Sequence, residues 1–155
     1  MVNKTYITDS KEETQEIAEN FVRRISGGDI VTLYGDLGSG KTTFVQGLAR
    51  GFGIKKRIIS PTFIIVRKYN LKSQIPKLKT TSQNLKSFYH IDLYRIEGKK
   101  DLRGLGIEEI INNPQNIVVI EWAEKMQNLL PKKRWDVKFE DLGGSKRKIT
   151  INQKL

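Results

Sequence analysis

The chain has no cysteine, so disulfides and thiolate metal sites are excluded. It has one histidine, His90, which cannot build a histidine-based metal site alone. Prolines number four, so few breaks are imposed on helices and strands. No apolar run approaches the ~18 residues of a membrane span, and Met1-Val2-Asn3-Lys4-Thr5 lacks the apolar core of a signal peptide. No internal repeat is visible. These absences set a cytoplasmic protein with no membrane partner as the expectation. Acids are also scarce: 17 Asp and Glu stand against 28 Lys and Arg, a net charge of +11.

What is present suits a globular fold. The 155 residues, 37% hydrophobic, fit one domain over 1–155 with one core. The positive charge is uneven. Residues 67–100 carry nine Lys or Arg against Asp92 and Glu97, and residues 131–155 carry eight against three acids. Such a distribution points to nucleic acid or an acidic partner. Plain use of lysine as the default surface residue explains it equally well.

The stretch Gly35-Asp36-Leu37-Gly38-Ser39-Gly40-Lys41-Thr42 organises the chain. It fits the phosphate-loop pattern G-x-x-x-x-G-K-[ST] at every fixed position. Ile30–Tyr34 before it reads as a buried parallel strand. Phe44, Val45, Leu48, Ala49 and Phe52 after it recur at helical spacing, so a helix begins near Lys41. Each residue type has a task. Glycines let backbone N–H groups turn inward as an anion nest. The helix start adds unpaired N–H groups and a positive dipole end. Lys41 supplies a mobile charge for the β- and γ-phosphates, the Thr42 hydroxyl a ligand for Mg²⁺, and Thr43 a secondary phosphate contact.

A phosphate loop needs a further acid, and in open α/β sheets such groups lie at strand carboxyl ends. Ile117-Val118-Val119-Ile120-Glu121 delivers Glu121 there, and Asp92 sits among apolar neighbours in His90-Ile91-Asp92-Leu93-Tyr94-Arg95. Arg95 reads as a salt-bridge partner rather than an arginine finger, His90 as a structural histidine, and Trp122 as core packing or a functional wall.

Elsewhere, Ser10-x-x-Glu13 is a capping box that opens a helix ending at Gly27-Gly28. Phe63–Tyr69 and Phe88–Arg95 read as strands of a hairpin. Its lysine-rich loop or tip spans residues 70–87. A short helix interrupted by Gly104 and Gly106 follows Asp101, another spans Trp122–Leu130, and a hairpin of Arg134–Glu140 and Lys146–Asn152 turns at Gly143-Gly144.

Taken in order, the phosphate loop with Thr43-Phe44, Ser60-Pro61-Thr62-Phe63, His90-x-Asp92-Leu93-Tyr94-Arg95 and Glu121-Trp122-x-Glu124 resemble the bacterial TsaE family, from about Thr14 to Arg147. The resemblance implies an α/β P-loop NTPase-like three-layer fold with a mixed, mainly parallel sheet and a C-terminal β-hairpin. It implies ATP/ADP and Mg²⁺ as cofactors, slow hydrolysis, and service to threonylcarbamoyladenosine formation at position 37 of tRNA. The TsaD and TsaB proteins are the implied partners; whether tRNA meets this chain directly or only through their complex stays open in the sequence. By the same likeness Thr62 belongs to a switch facing the γ-phosphate, and Asp92 and Glu121 lie at the metal and the attacking water. Thr14 and Arg147 fall near the nucleotide's base. Ala123 stands where the family usually has proline, and the segment before His90 is longer than usual. A P-loop small-molecule kinase is the alternative reading; a nucleic-acid-binding module with structural ATP is a third.

Overall fold

The structure is a computed structural model that describes residues 3–61, 63–71 and 85–155. Thr62 and the lysine-rich stretch 72–84 lie outside them. Seven strands form one sheet: β1 (Asn3–Thr8), β2 (Ile30–Tyr34), β3 (Val66–Asn70), β4 (Ser87–Asp92), β5 (Asn116–Glu121), β6 (Arg134–Gly143) and β7 (Lys146–Lys154). Their order across the sheet is β1-β7-β6-β2-β5-β4-β3. The four central strands β6, β2, β5 and β4 run parallel, and the outer pairings are antiparallel. The sheet is therefore mixed with a parallel centre, and β6 with β7 forms the expected late hairpin.

Two layers of helix cover the sheet. Helices α1 (Lys11–Phe21) and α2 (Lys41–Gly51) pack on one face. The alternation of each strand sends Val31 and Leu33, Phe88, and Ile117 and Val119 to that face, with the aromatic side chains of α1 and α2 against them. Phe21 meets Trp135 edge-on at 5.0 Å and Phe44 meets Phe139 at 5.4 Å, which ties both helices to β6. Fully burying a side chain such as Phe44 contributes about 1.5–3 kcal/mol, so these contacts fix the helix start that follows the phosphate loop. The other face buries Ile30, Ile91, Leu93, Val118 and Ile120 under α3 (Lys99–Leu102), α4 (Ile107–Ile111) and a 3-10 segment, Ala123–Leu129.

Several elements depart from the sequence reading. β1 was not expected: it is an edge strand whose side chains are mostly exposed, so it carries little apolar alternation. The β3 strand starts at Val66 rather than Phe63. The N–H groups of Ile64 and Ile65 both bond the Pro61 carbonyl, closing a turn that takes Ile65 to φ 67°. The helix after Asp101 is two short helices, because Gly104 and Gly106 adopt φ of 82° and 72°. The short helix read over Trp122–Leu130 is a 3-10 segment, Ala123–Leu129, kinked at Gln127. Asn70 pairs with Ser87, so the hairpin of β3 and β4 is present where its ends are described.

Candidate functional site

The loop between β2 and α2 sets the site. Gly35 follows the last residue of β2 at φ 154°, and a Cβ there would stand 2.5 Å from Ser39 Oγ and 2.9 Å from the Phe139 carbonyl, so only glycine fits. Gly40, also at positive φ, caps α2 and leaves its first N–H groups facing the loop. A cleft of about 760 Å³ opens over this helix start.

Strand register brings the acids to it. In β5, Glu121 is level with Leu33 of β2 and Asp92 of β4. Both acids are on the α2 face, because each strand alternates in phase with its buried apolar residues. The two carboxylates are therefore neighbours at the carboxyl ends of parallel strands, almost completely buried. The Thr42 hydroxyl donates to Glu121 at 3.1 Å from Oε1 and 3.3 Å from Oε2. Asp92 accepts from Ser60 Oγ through Oδ2 at 2.5 Å and from the Tyr94 N–H through Oδ1 at 3.0 Å. His90, two positions before Asp92 on the same side of β4, has Nε2 2.5 Å from Glu121 Oε2.

Lys41 reaches back over the loop. Its ammonium donates to the carbonyls of Gly35 and Asp36, the latter at 2.9 Å, and lies 4.3 Å from the Trp122 ring centre. Burial pushes the Lys41 ammonium below its ordinary range, against the opposing pull of Glu121, Glu124, Asp92 and Asp36. A phosphate would supply the negative charge that relieves this desolvation. Trp122, at φ 58°, packs tilted against Tyr94 with ring centres 5.2 Å apart and forms a wall of the cleft.

At the far end of the cleft, the pairing of Thr8 with Arg147 sets the start of α1 against the tip of the β6–β7 hairpin. Thr14 Oγ1 is hydrogen-bonded to Thr8 Oγ1 at 2.9 Å. Arg147 donates to Asp141, to the Gly144 and Lys146 carbonyls, and at 3.4 Å to the Gly38 carbonyl of the phosphate loop.

The structure thus brings together in one cleft Thr14, Leu37, Gly38, Gly40, Lys41, Thr42, Thr43, Asp92, Glu121 and Arg147. Gly35, Asp36 and Ser39 belong to the loop but do not line the cleft; Ser39 is buried beneath it. Thr62 lies outside the described residues, though Ser60 beside it faces the cleft. The sequence reading overlooked Lys11, Ser145 and Gly144 as lining residues and took Ser10 as a cap alone. Arg95 is not in an ion pair among the described residues; its guanidinium stacks 4.4 Å from the Phe63 ring centre. Phe63, an exposed aromatic two residues past Pro61, is the partner rather than an acid.

A family model described as threonylcarbamoyl adenosine biosynthesis protein TsaE matches residues 8–149, nearly the whole span from β1 to β7. The chain belongs to the TsaE family. Among TsaE relatives, the tRNA threonylcarbamoyladenosine biosynthesis protein TsaE of Bacillus subtilis (strain 168) is 36% identical over 144 residues, covering 93% of this chain and 82% of that protein. The TsaE of Rickettsia prowazekii (strain Madrid E) is 37% identical over 145 residues, covering 93% and 91%. The fold agrees: the crystal structure of Bacillus subtilis YdiB superposes with a TM-score of 0.78 at 32% identity, over 99% of this chain and 87% of that one. The TsaE match includes every element that contributes a residue to the cleft. Among the described residues, no helix is long and apolar enough to cross a membrane.

Proposed function

We propose that this chain is a single ATPase domain that binds Mg-ATP in the cleft and hydrolyses it slowly. It does so in the cytoplasm, in support of threonylcarbamoyladenosine formation at position 37 of tRNA, acting with the TsaD and TsaB proteins and meeting tRNA through their complex. The observation that carries this reading is the meeting of Lys41, Thr42, Asp92 and Glu121 at a helix N-terminus beside a cleft of nucleotide size. Family membership supplies the pathway.

The donor set suits Mg²⁺. Two buried carboxylates and a hydroxyl are hard oxygen ligands, and Mg²⁺ takes one or two carboxylates together with waters and substrate phosphates. Among the described residues no cluster of three or more His, Cys, Asp or Glu could hold a metal by itself. When bound, Mg²⁺ neutralises charge on the phosphates and on the leaving group. Thr42, Asp92 and Glu121 are the residues that would hold it.

The chain's own groups do the rest. The N–H groups from Gly38 to Thr43 and the dipole of α2 bind phosphate oxygens. Lys41 leaves the Gly35 and Asp36 carbonyls for the β- and γ-phosphates, trading two neutral acceptors for charged ones. Glu121 orients the attacking water and accepts its proton. Thr62 reads the γ-phosphate, and Thr14 and Arg147 hold the base side. Arg147 is engaged with the hairpin tip and Arg95 stacks on Phe63, so in this state neither guanidinium is free to act as a finger. Slow turnover follows; P-loop GTPases without a finger run at about 10⁻⁴ to 10⁻² per second.

The test is ATP hydrolysis by the purified protein with and without the TsaD–TsaB pair. Basal turnover is slow and rises strongly with the pair. Glu121→Gln keeps ATP affinity within about tenfold and lowers turnover roughly 10²-fold. Fast turnover without partners, or phosphate transfer to a small-molecule acceptor, would overturn the reading in favour of a kinase.

A further inference from the structure

We propose that His90 is the positioning residue for Glu121, holding its carboxylate in the orientation the site uses. The inference rests on the reading of Glu121 given above. His90 is fully buried beneath the cleft, on the α2 face of β4. Its Nε2 stands 2.5 Å from Glu121 Oε2, while the Thr42 hydroxyl donates to both carboxylate oxygens from α2. A carboxylate can only accept, so Nε2 is the donor. Glu121 is thereby held from three elements: its backbone in β5, one donor from β4 and one from α2. A free glutamate side chain samples several rotamers about three torsions, and two donors on one carboxylate select its plane.

The other ring nitrogen makes the case sharper. Nδ1 of His90 is buried with no hydrogen-bond partner among the described residues. A position that only had to be filled would be served by an apolar side chain, as Phe88 serves two residues earlier on the same strand face. Among the described residues, the one hydrogen bond of this imidazole is the one to Glu121. His90 does not reach the cleft lining, so it acts through Glu121 and not on the nucleotide.

The experiment compares ATP turnover and ADP affinity in four proteins: wild type, His90→Leu, Glu121→Gln and the double variant. His90→Leu lowers kcat on the order of tenfold or more, with ADP affinity nearly unchanged. In the Glu121→Gln background the same change alters kcat less than about twofold, because residues acting as a unit are not additive. His90→Gln, which keeps an N–H near the position of Nε2, recovers most of the loss. A loss of equal size in both backgrounds, or a parallel loss of ADP affinity, overturns the proposal. A second readout needs no activity. His90 is the sole histidine, so ¹⁵N-histidine labelling gives ring signals from one residue. The Nε2 resonance moves in Glu121→Ala; a resonance that stays in place overturns the contact. A wild type that does not hydrolyse ATP strikes the function above, and the ring resonance then decides the His90 contact independently.

Discussion

The two faces of the sheet are built to different standards. On the face that carries the cleft, α1 and α2 are eleven residues each and meet at glycine. A Cβ at Gly47 would lie 2.3 Å from the Gln15 carbonyl and 2.7 Å from Ala18 Cβ, and one at Gly51 would lie 2.6 Å from Val22 Cγ2. These glycines are one helical turn apart, so they form a single seam on which α1 rests. The opposite face is covered by helices of four and five residues and a kinked 3-10 segment. There a Cβ at Gly104 or Gly106 would meet nothing within 4 Å among the described residues. Phosphate binding requires a helix N-terminus fixed to a fraction of an ångström, which close helix packing supplies. Covering apolar strand residues requires only enough side chains, and short pieces carrying Leu102, Ile107, Ile111 and Met126 suffice.

The largest expected effect belongs to the cleft face. Lys41 contacts loop carbonyls and the Trp122 ring, not the aromatic core, so Lys41→Ala folds but loses nucleotide. Saturation at a hundred times Kd adds about 2.7 kcal/mol to wild type. Thermal melting with and without Mg-ATP reads this, and an equal shift in the variant would remove the cleft from consideration as the nucleotide site.

Next comes a direct comparison of the faces. Gly47→Ala drives a methyl into the backbone of α1 and costs about 1–3 kcal/mol. Gly106→Ala meets open space and costs only the strain of φ 72°, about 1 kcal/mol. Urea unfolding of the two variants measures the difference. Equal losses would mean that the two faces are not packed differently in energetic terms.

The smallest effect is a pH dependence. Burial depresses the Lys41 pKa below 10.5 in the folded protein. Between that depressed value and 10.5 the unfolded chain binds more protons than the folded one. Its contribution to stability therefore rises with pH across this window and is lowest beneath it. In Lys41→Met that rise is absent; a stability curve identical to wild type in alkaline solution would show that Lys41 is not desolvated.

The cleft face was also the more legible in sequence. The phosphate loop is a local pattern, so strand, turn and helix could be read from consecutive residues. Glu121 and Asp92 were legible because an acid at the end of an apolar strand has few places to go. The neighbours of Arg147 were not: Ser10 and Lys11 line one cleft with Gly144 and Ser145 where β1 pairs with β7, a contact that no local pattern encodes. β1 itself escaped because Thr8 is its one buried residue. The apolar run Ile64-Ile65-Val66 looked like strand throughout, yet a turn from Pro61 takes its first half. The face of His90 could be read from its spacing to Asp92, but not that Glu121 stands next to it. That depends on the parallel register of β4 and β5.

The pairing of β1 with β7 has a consequence for how the protein is made. β1 is an edge strand with β7 as its one neighbour in the sheet, and Thr8 must wait for Arg147. Nearly all the chain is therefore synthesised while the first strand stands with both edges unpaired. Long-range pairing of this kind slows folding and leaves strand edges open to other chains. Closure of the far end of the cleft is bound to the same event, because Thr14 is hydrogen-bonded to Thr8 and Thr8 pairs with Arg147. Since β6 also supplies Trp135 and Phe139 against α1 and α2, the β6–β7 hairpin both steadies the start of α2 and closes the far end of the cleft.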